Sequence, residues 1–226
     1  MKTLFAAGAI AASAAVSLGQ ITFDVLVTAD NQYGLYTGTA TTADTYVGGS
    51  FNTLAAQIFT PEAYNLTLPN NGYLYITSWS DAAVFQGLMA RFDSSLGTFY
   101  AGQSGWEVTA TGITRQNGAA PVALSDLTTE ILNANAGTNP SGGWVVPDFG
   151  PMNNNSSPWN ATVGGGMGPD ANWTWYDSGA DGSSIAPYDG FDHDEYLIFR
   201  LPVNIPTPGT AGAMALLGAV ALRRRR

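Results

Sequence analysis

The chain has 226 residues, no cysteine, 45 % hydrophobic and only 11 % charged residues, and a formal net charge of −9. Without disulfides, stability must come from a core or from bound metal. All seventeen acidic residues, but only Arg91, Arg115 and Arg200 of the eight basic ones, lie between positions 20 and 203. That lysine-free stretch repels polyphosphate, which excludes nucleic acid as a partner, and at roughly 185 residues it is long enough for one domain with a sizeable core.

The amino terminus reads as an export signal. Lys2 precedes an apolar run from Leu4 to Val16, and Ser17-Leu18-Gly19 places small residues where a signal peptidase reads them. Residues 1–19 are therefore expected to be a secretory signal peptide, cut between Gly19 and Gln20. A buried N-terminal helix suits the run less, since next to nothing polar interrupts it.

Period-two alternation then dominates. Ile21, Phe23, Val25 and Val27 alternate with Thr22, Asp24, Leu26 and Thr28, the pattern of a half-buried strand. The same period runs through Tyr73–Trp79, Phe85–Phe92, Trp106–Thr111 and Tyr196–Leu201, with turn residues such as Asn70-Asn71-Gly72 between. An all-β antiparallel sandwich over residues 20–203 is expected. One short helix is expected after Ser125 as its cap, with Leu127, Ile131 and Leu132 on one side and Gly137 beyond its end. The Gly-, Pro- and Asn-rich stretch from Thr138 to Met167 reads as a long loop.

Residues 204–226 form a separate unit. Pro206-Thr207-Pro208-Gly209 breaks regular structure, an apolar run from Ala211 to Leu222 follows, and Arg223 to Arg226 close the chain. Twelve helical residues rise about 18 Å against a hydrocarbon core of roughly 30 Å, so the segment suits transient retention, with a lasting tail anchor as the alternative. This order of parts resembles the PEP-CTERM sorting signal of exopolysaccharide-producing bacteria, which an exosortase-type membrane protease cuts. Pro206-Thr207-Pro208 stands where Pro-Glu-Pro is usual, a variant resembling planctomycete-like tails. The resemblance implies a secreted or cell-surface protein, held briefly at the inner membrane, with signal peptidase and the sorting protease as partners.

Two central segments resemble galactose-binding-like domains: Thr28-Ala29-Asp30-Asn31 followed by Tyr33, Leu35 and Tyr36, and the strands Gly72–Trp79 and Gln86–Phe92. That resemblance implies a jelly-roll topology.

The chemistry-bearing residues are few. His193 is the sole histidine, flanked by Asp192 and Asp194, and no Gly-x-Ser-x-Gly elbow accompanies it, so a loop histidine is expected rather than a catalytic triad. Seventeen acids always contain some pair a glycosidase could use, and that abundance makes the signal uninformative; a non-enzyme of the cell envelope or exopolysaccharide matrix is expected, with a small polysaccharide-active enzyme using paired carboxylates or a purely structural matrix protein as the alternatives. Asp189, Asp192, Asp194 and Glu195 place four carboxylates within seven residues, a set of hard oxygens suited to calcium, with a solvated turn as the plain alternative. The galactose-binding-like resemblance also implies a structural calcium near the last strand. Trp144 and Trp159, with Asn154 nearby, offer indole faces and an amide for a neutral sugar, or else pin their loop to the domain.

Overall fold

The computed structural model describes residues 19–51, 58–80, 85–155, 159–179 and 195–203. Alternation along the first strand, β1 (Gln20–Asp30), generates the interior: Ile21, Phe23, Val25 and Val27 are at most 3 % exposed, whereas Gln20, Thr22 and Asp24 face outward. After Asp30 the chain passes into a second sheet as β2 (Gln32–Gly38) and β3 (Ala43–Ser50), returns as β4 (Glu62–Pro69), and crosses again as β5 (Tyr73–Trp79). It continues as β6 (Gly87–Ser94), β7 (Gly97–Tyr100), β8 (Glu107–Thr114), α1 (Leu124–Ala136), β9 (Asp148–Met152), β10 (Asn172–Trp175) and β11 (Glu195–Pro202).

Two antiparallel sheets result. The six-stranded sheet runs β4-β1-β6-β10-β9, with β7 also paired to β6; the five-stranded sheet runs β3-β2-β5-β11-β8. Phe23, Val25, Phe92 and Trp175 from the first meet Leu35, Ile76, Leu197 and Phe199 from the second in one apolar cluster. Helix α1 covers the outer face of the five-stranded sheet, setting Leu127 and Ile131 against Tyr36, Tyr75, Trp79 and Ile198. Part of the other outer face lies under loop residues Ile58, Val163, Met167 and Ala171, packed on Met89 and Trp173. Trp79, Trp106, Trp173 and Trp175 are all within 2 % of complete burial, as their strand pattern implies.

Three local expectations fail for identifiable reasons. Helix α1 starts at Leu124 with Ala123 as its N-cap and no side-chain cap, and Ser125 lies inside its first turn, its hydroxyl donating to Asp126 Oδ1 at 3.2 Å. Leu132 is 48 % exposed, because the face of α1 that meets the sheet is the one carrying Leu127, Glu130, Ile131 and Ala134. The stretch 138–167 is not wholly irregular: β9 lies within it and adds an edge to the six-stranded sheet. Gly137 does terminate the helix, in the left-handed conformation at φ 68°, where a side chain would be strained.

Phe23 sits edge-to-face on Phe92, with centroids 6.4 Å apart and an interplanar angle of 85°. Phe23→Ala should therefore lower unfolding stability by about 3–5 kcal/mol, read from the denaturant midpoint at unchanged m-value.

Candidate functional site

The open half of the six-stranded sheet is built by the residues that β1 turns away from the core. In register, Asp24 lies opposite Asn65 on β4 and opposite Asp93 on β6, and Asp93 lies opposite Thr98 on β7. Four strands thus carry one row, Asn65–Asp24–Asp93–Thr98, running across their direction. Beside it the next outward row is Ala63, Leu26, Arg91 and Tyr100, and on its other side Thr22 and Thr67 share a hydroxyl bond of 2.9 Å. Asp24, Leu26, Ala63, Tyr64, Asn65 and Asp93 line a shallow groove of ≈ 440 Å³.

Hydrogen bonds hold the row in place. Asn65 Nδ2 donates to Asp24 Oδ1 at 2.8 Å, the Thr98 hydroxyl donates to Asp93 Oδ1 at 2.6 Å, and Arg91 Nε lies 2.8 Å from Asp93 Oδ2. Burial pushes the Asp93 carboxyl up, but the Thr98 hydroxyl and the Arg91 guanidinium outweigh it and keep it below the usual carboxylate range. Two carboxylates directly opposite on paired strands are unfavourable. Here one is offset by a guanidinium and the other only by an amide. The row sets two carboxylates side by side between an amide and a hydroxyl, a surface suited to the hydroxyls of a neutral polymer.

The loop that lies beside the neighbouring row, at Leu26, Arg91 and Tyr100, is fastened from within. Asn153, 3 % exposed, donates through Nδ2 to the carbonyls of Val163 and Gly168, each at 3.0 Å, and its Oδ1 accepts the Val163 N–H at 2.6 Å. Arg91 Nη1 donates to the Gly166 carbonyl, so the guanidinium that serves Asp93 also ties down the loop. At the far end Trp159 stacks on Trp173, with ring centroids 4.1 Å apart and planes at 18°, and its Nε1 donates to Asp30 Oδ2 at 2.7 Å. Gly87 is the floor of that stack: a Cβ there would meet Trp173 at 2.8 Å and Trp159 at 3.0 Å.

The sequence-derived sugar residues are not brought together. Trp159 is half-buried on the outer face of the six-stranded sheet. Trp144 belongs to the outer face of the five-stranded sheet, where the Arg200 guanidinium lies 3.7 Å from its ring centre and its Nε1 donates to Asn135 Oδ1 at 2.8 Å. They flank the sandwich on opposite sides and cannot share a ligand. Asn154 is exposed in the turn after β9. Of the acidic cluster, Glu195 is 4 % exposed and serves the fold, accepting the Gly112 N–H at 2.9 Å and the Ser178 hydroxyl. Asp189, Asp192, Asp194 and His193 lie outside the described residues, as do Pro206, Thr207 and Pro208.

Among the described residues no three acidic or histidine side chains are grouped to hold a metal, and no helix is long and apolar enough to cross a membrane. Where the chain leaves at Gly179 and returns at Glu195, negative charge accumulates nonetheless. Burial and then the charge of Asp177 raise the Asp148 carboxyl, and burial with Asp148, Glu195 and Asp177 raises the Tyr176 hydroxyl. Gly19 and Gln20 mark the start of β1: the Gly19 carbonyl accepts the Asn70 N–H at 2.9 Å, and Gln20 pairs with Pro69.

Asp24 was visible in the sequence only as the polar member of an alternating run, and Asn65, Asp93 and Thr98 fall outside the runs read there. Nothing local joins positions 41 and 69 residues from Asp24 until the strands pair. No family model matches the chain, and neither a curated protein nor a solved structure matches it.

The stack on Trp173 and the bond to Asp30 make Trp159 a pin for the loop. Trp159→Ala should cost about 2–3 kcal/mol, somewhat less than a fully buried tryptophan, with Trp159→Phe recovering part of the loss in equilibrium unfolding.

Proposed function

We propose that this chain is an exported, non-catalytic protein of the cell envelope or exopolysaccharide matrix, whose sandwich holds a neutral polysaccharide on the open half of its six-stranded sheet. The observation that carries the reading is the row Asn65–Asp24–Asp93–Thr98. Its members repeat at the strand spacing of about 4.8 Å, close to the length of one pyranose unit, so a glycan lying across the strands meets one polar group per sugar. Flat, shallow grooves of this kind suit a chain rather than a small molecule.

A jelly-roll topology fits the way the chain alternates between sheets from β1 to β6. Export and sorting rest on the Lys2-led apolar run and on the Pro206-Thr207-Pro208, apolar and Arg-rich tail. A binding role is favoured over hydrolysis because a glycosidase pair needs one carboxyl kept protonated by an apolar setting, whereas Asp24 is exposed on an open sheet face and Asp93 is paired with Arg91. The calcium part of the reading rests on Asp189, Asp192 and Asp194 in the sequence, and on the described chain on either side of them, where burial and then the charge of Asp177 raise the Asp148 carboxyl.

The decisive experiment is retention of the full chain on a panel of insoluble and gel-embedded neutral polysaccharides. Asp24→Ala with Asn65→Ala should weaken retention at least tenfold while moving the melting temperature by no more than a few degrees; retention unaltered by that pair removes the sheet face as the site. For calcium, adding the ion to EDTA-treated protein should raise the melting point, by the equivalent of about 2.7 kcal/mol at a hundredfold excess over Kd. Identical melting with and without calcium eliminates that part of the proposal.

A further inference from the structure

On the opposite side of the sandwich, Ile113, Arg115, Val122, Asp126, Thr129, Glu130 and Tyr196 enclose a cleft of ≈ 270 Å³ between α1 and the β8–β11 edge. Asp126, Thr129 and Glu130 are spaced three and four residues apart and so share one face of the helix. They form an acidic wall, and Arg115 is the only cation among the described residues that line the cleft.

The charges are held apart. Arg91 and Arg200 have carboxylates at 2.8 and 2.7 Å, but no acid lies within ion-pairing distance of Arg115 among the described residues. Its guanidinium is fixed otherwise, 4.7 Å from the ring centre of Trp79 and 5.6 Å from that of Tyr196, with Nη2 donating to the Ala120 carbonyl. Its Nε is buried and has no hydrogen-bond partner. Glu130, 9 % exposed, accepts from Asn133 Nδ2 at 3.2 Å. Two carboxylates at i and i+4 on one helix repel each other, and a nearly buried one is costly without a cation. Opposite charges thus face each other across a space neither side closes.

We propose that the cleft binds one small zwitterion of the α-amino-acid class, its carboxylate on Arg115, its ammonium on Glu130 and Asp126, and its side chain against Ile113 and Val122. The fit is one of charge and size together. A neutral sugar would leave both walls uncompensated, a dicarboxylate would face the acidic wall, and a diamine would face the guanidinium. Because aromatic stacking already fixes Arg115, little ordering is required on binding. The site lies on the face away from the glycan groove and stands independently of that reading.

The test is calorimetry and thermal shift on the full chain with single free amino acids, alongside their N-acetyl and methyl-ester forms, glucose and glucosamine. At least one free amino acid should bind and raise the melting temperature. Blocking either its amine or its carboxylate should weaken it at least tenfold, and Arg115→Gln and Glu130→Gln should each do the same. If Arg115→Gln does not fold, Glu130→Gln and the blocked ligands on the unaltered protein decide. Failure of every free amino acid to bind, equal binding of the blocked forms, or tighter binding of glucose or glucosamine would each overturn the proposal.

Discussion

Strand β1 sets both the inside and the outside of this protein. It pairs over eight positions with β4 along one edge and over eight with β6 along the other, and its inward side chains reach across to the five-stranded sheet. Because side chains alternate strictly, the pairing that buries Ile21, Phe23, Val25 and Val27 also sends Thr22, Asp24 and Leu26 outward. A slip of one residue would drive Asp24 and Thr22 into the core and leave Phe23 in water. With no cysteine to enforce the register, that difference in burial does it alone. The polar row of the candidate site is thus the reverse side of the hydrophobic core, and neither can shift without the other.

The scarcity of positive charge has a second consequence. Three arginines serve the whole described domain, and each is given more than one task. Arg91 balances Asp93 and ties the loop at Gly166. Arg200 binds Glu107 while lying on Trp144 and near Tyr73. Arg115 rests between Trp79 and Tyr196. The planar guanidinium suits this, since it can stack with one face and still donate at its edge, which an ammonium cannot do.

Strand existence was legible because alternation is a local property: β1, β5, β6, β8 and β11 follow their period-two runs, and the end of α1 follows Gly137. Side-chain roles were less so. Ser125 looked like a cap because its type is right, but the cap position falls two residues earlier, where Ala123 leaves the amides uncapped by any side chain. Trp159 sat in a loop of turn residues and looked available to a ligand, and nothing local marked Asn153 as a fastening point. Their actual partners, Trp173, Asp30, Val163 and Gly168, are fixed by tertiary packing that no local pattern encodes. The row across β4, β1, β6 and β7 and the cleft beside α1 share that character, since each unites residues from separate segments.

Strand β9 lies at the margin of the six-stranded sheet and carries Phe149 and Met152 exposed, with Val146 just before it. An open strand with apolar side chains is ordinarily a template for fibril growth. Here the backbone itself is a poor template. Pro151 has no amide hydrogen to offer, Pro147 stands one residue before the strand, and its pairing with β10 is broken by a register shift between Asn172 and Thr174. The apolar strip can therefore adhere through side chains yet resists being extended strand by strand, so crowding leads to contact without polymerisation.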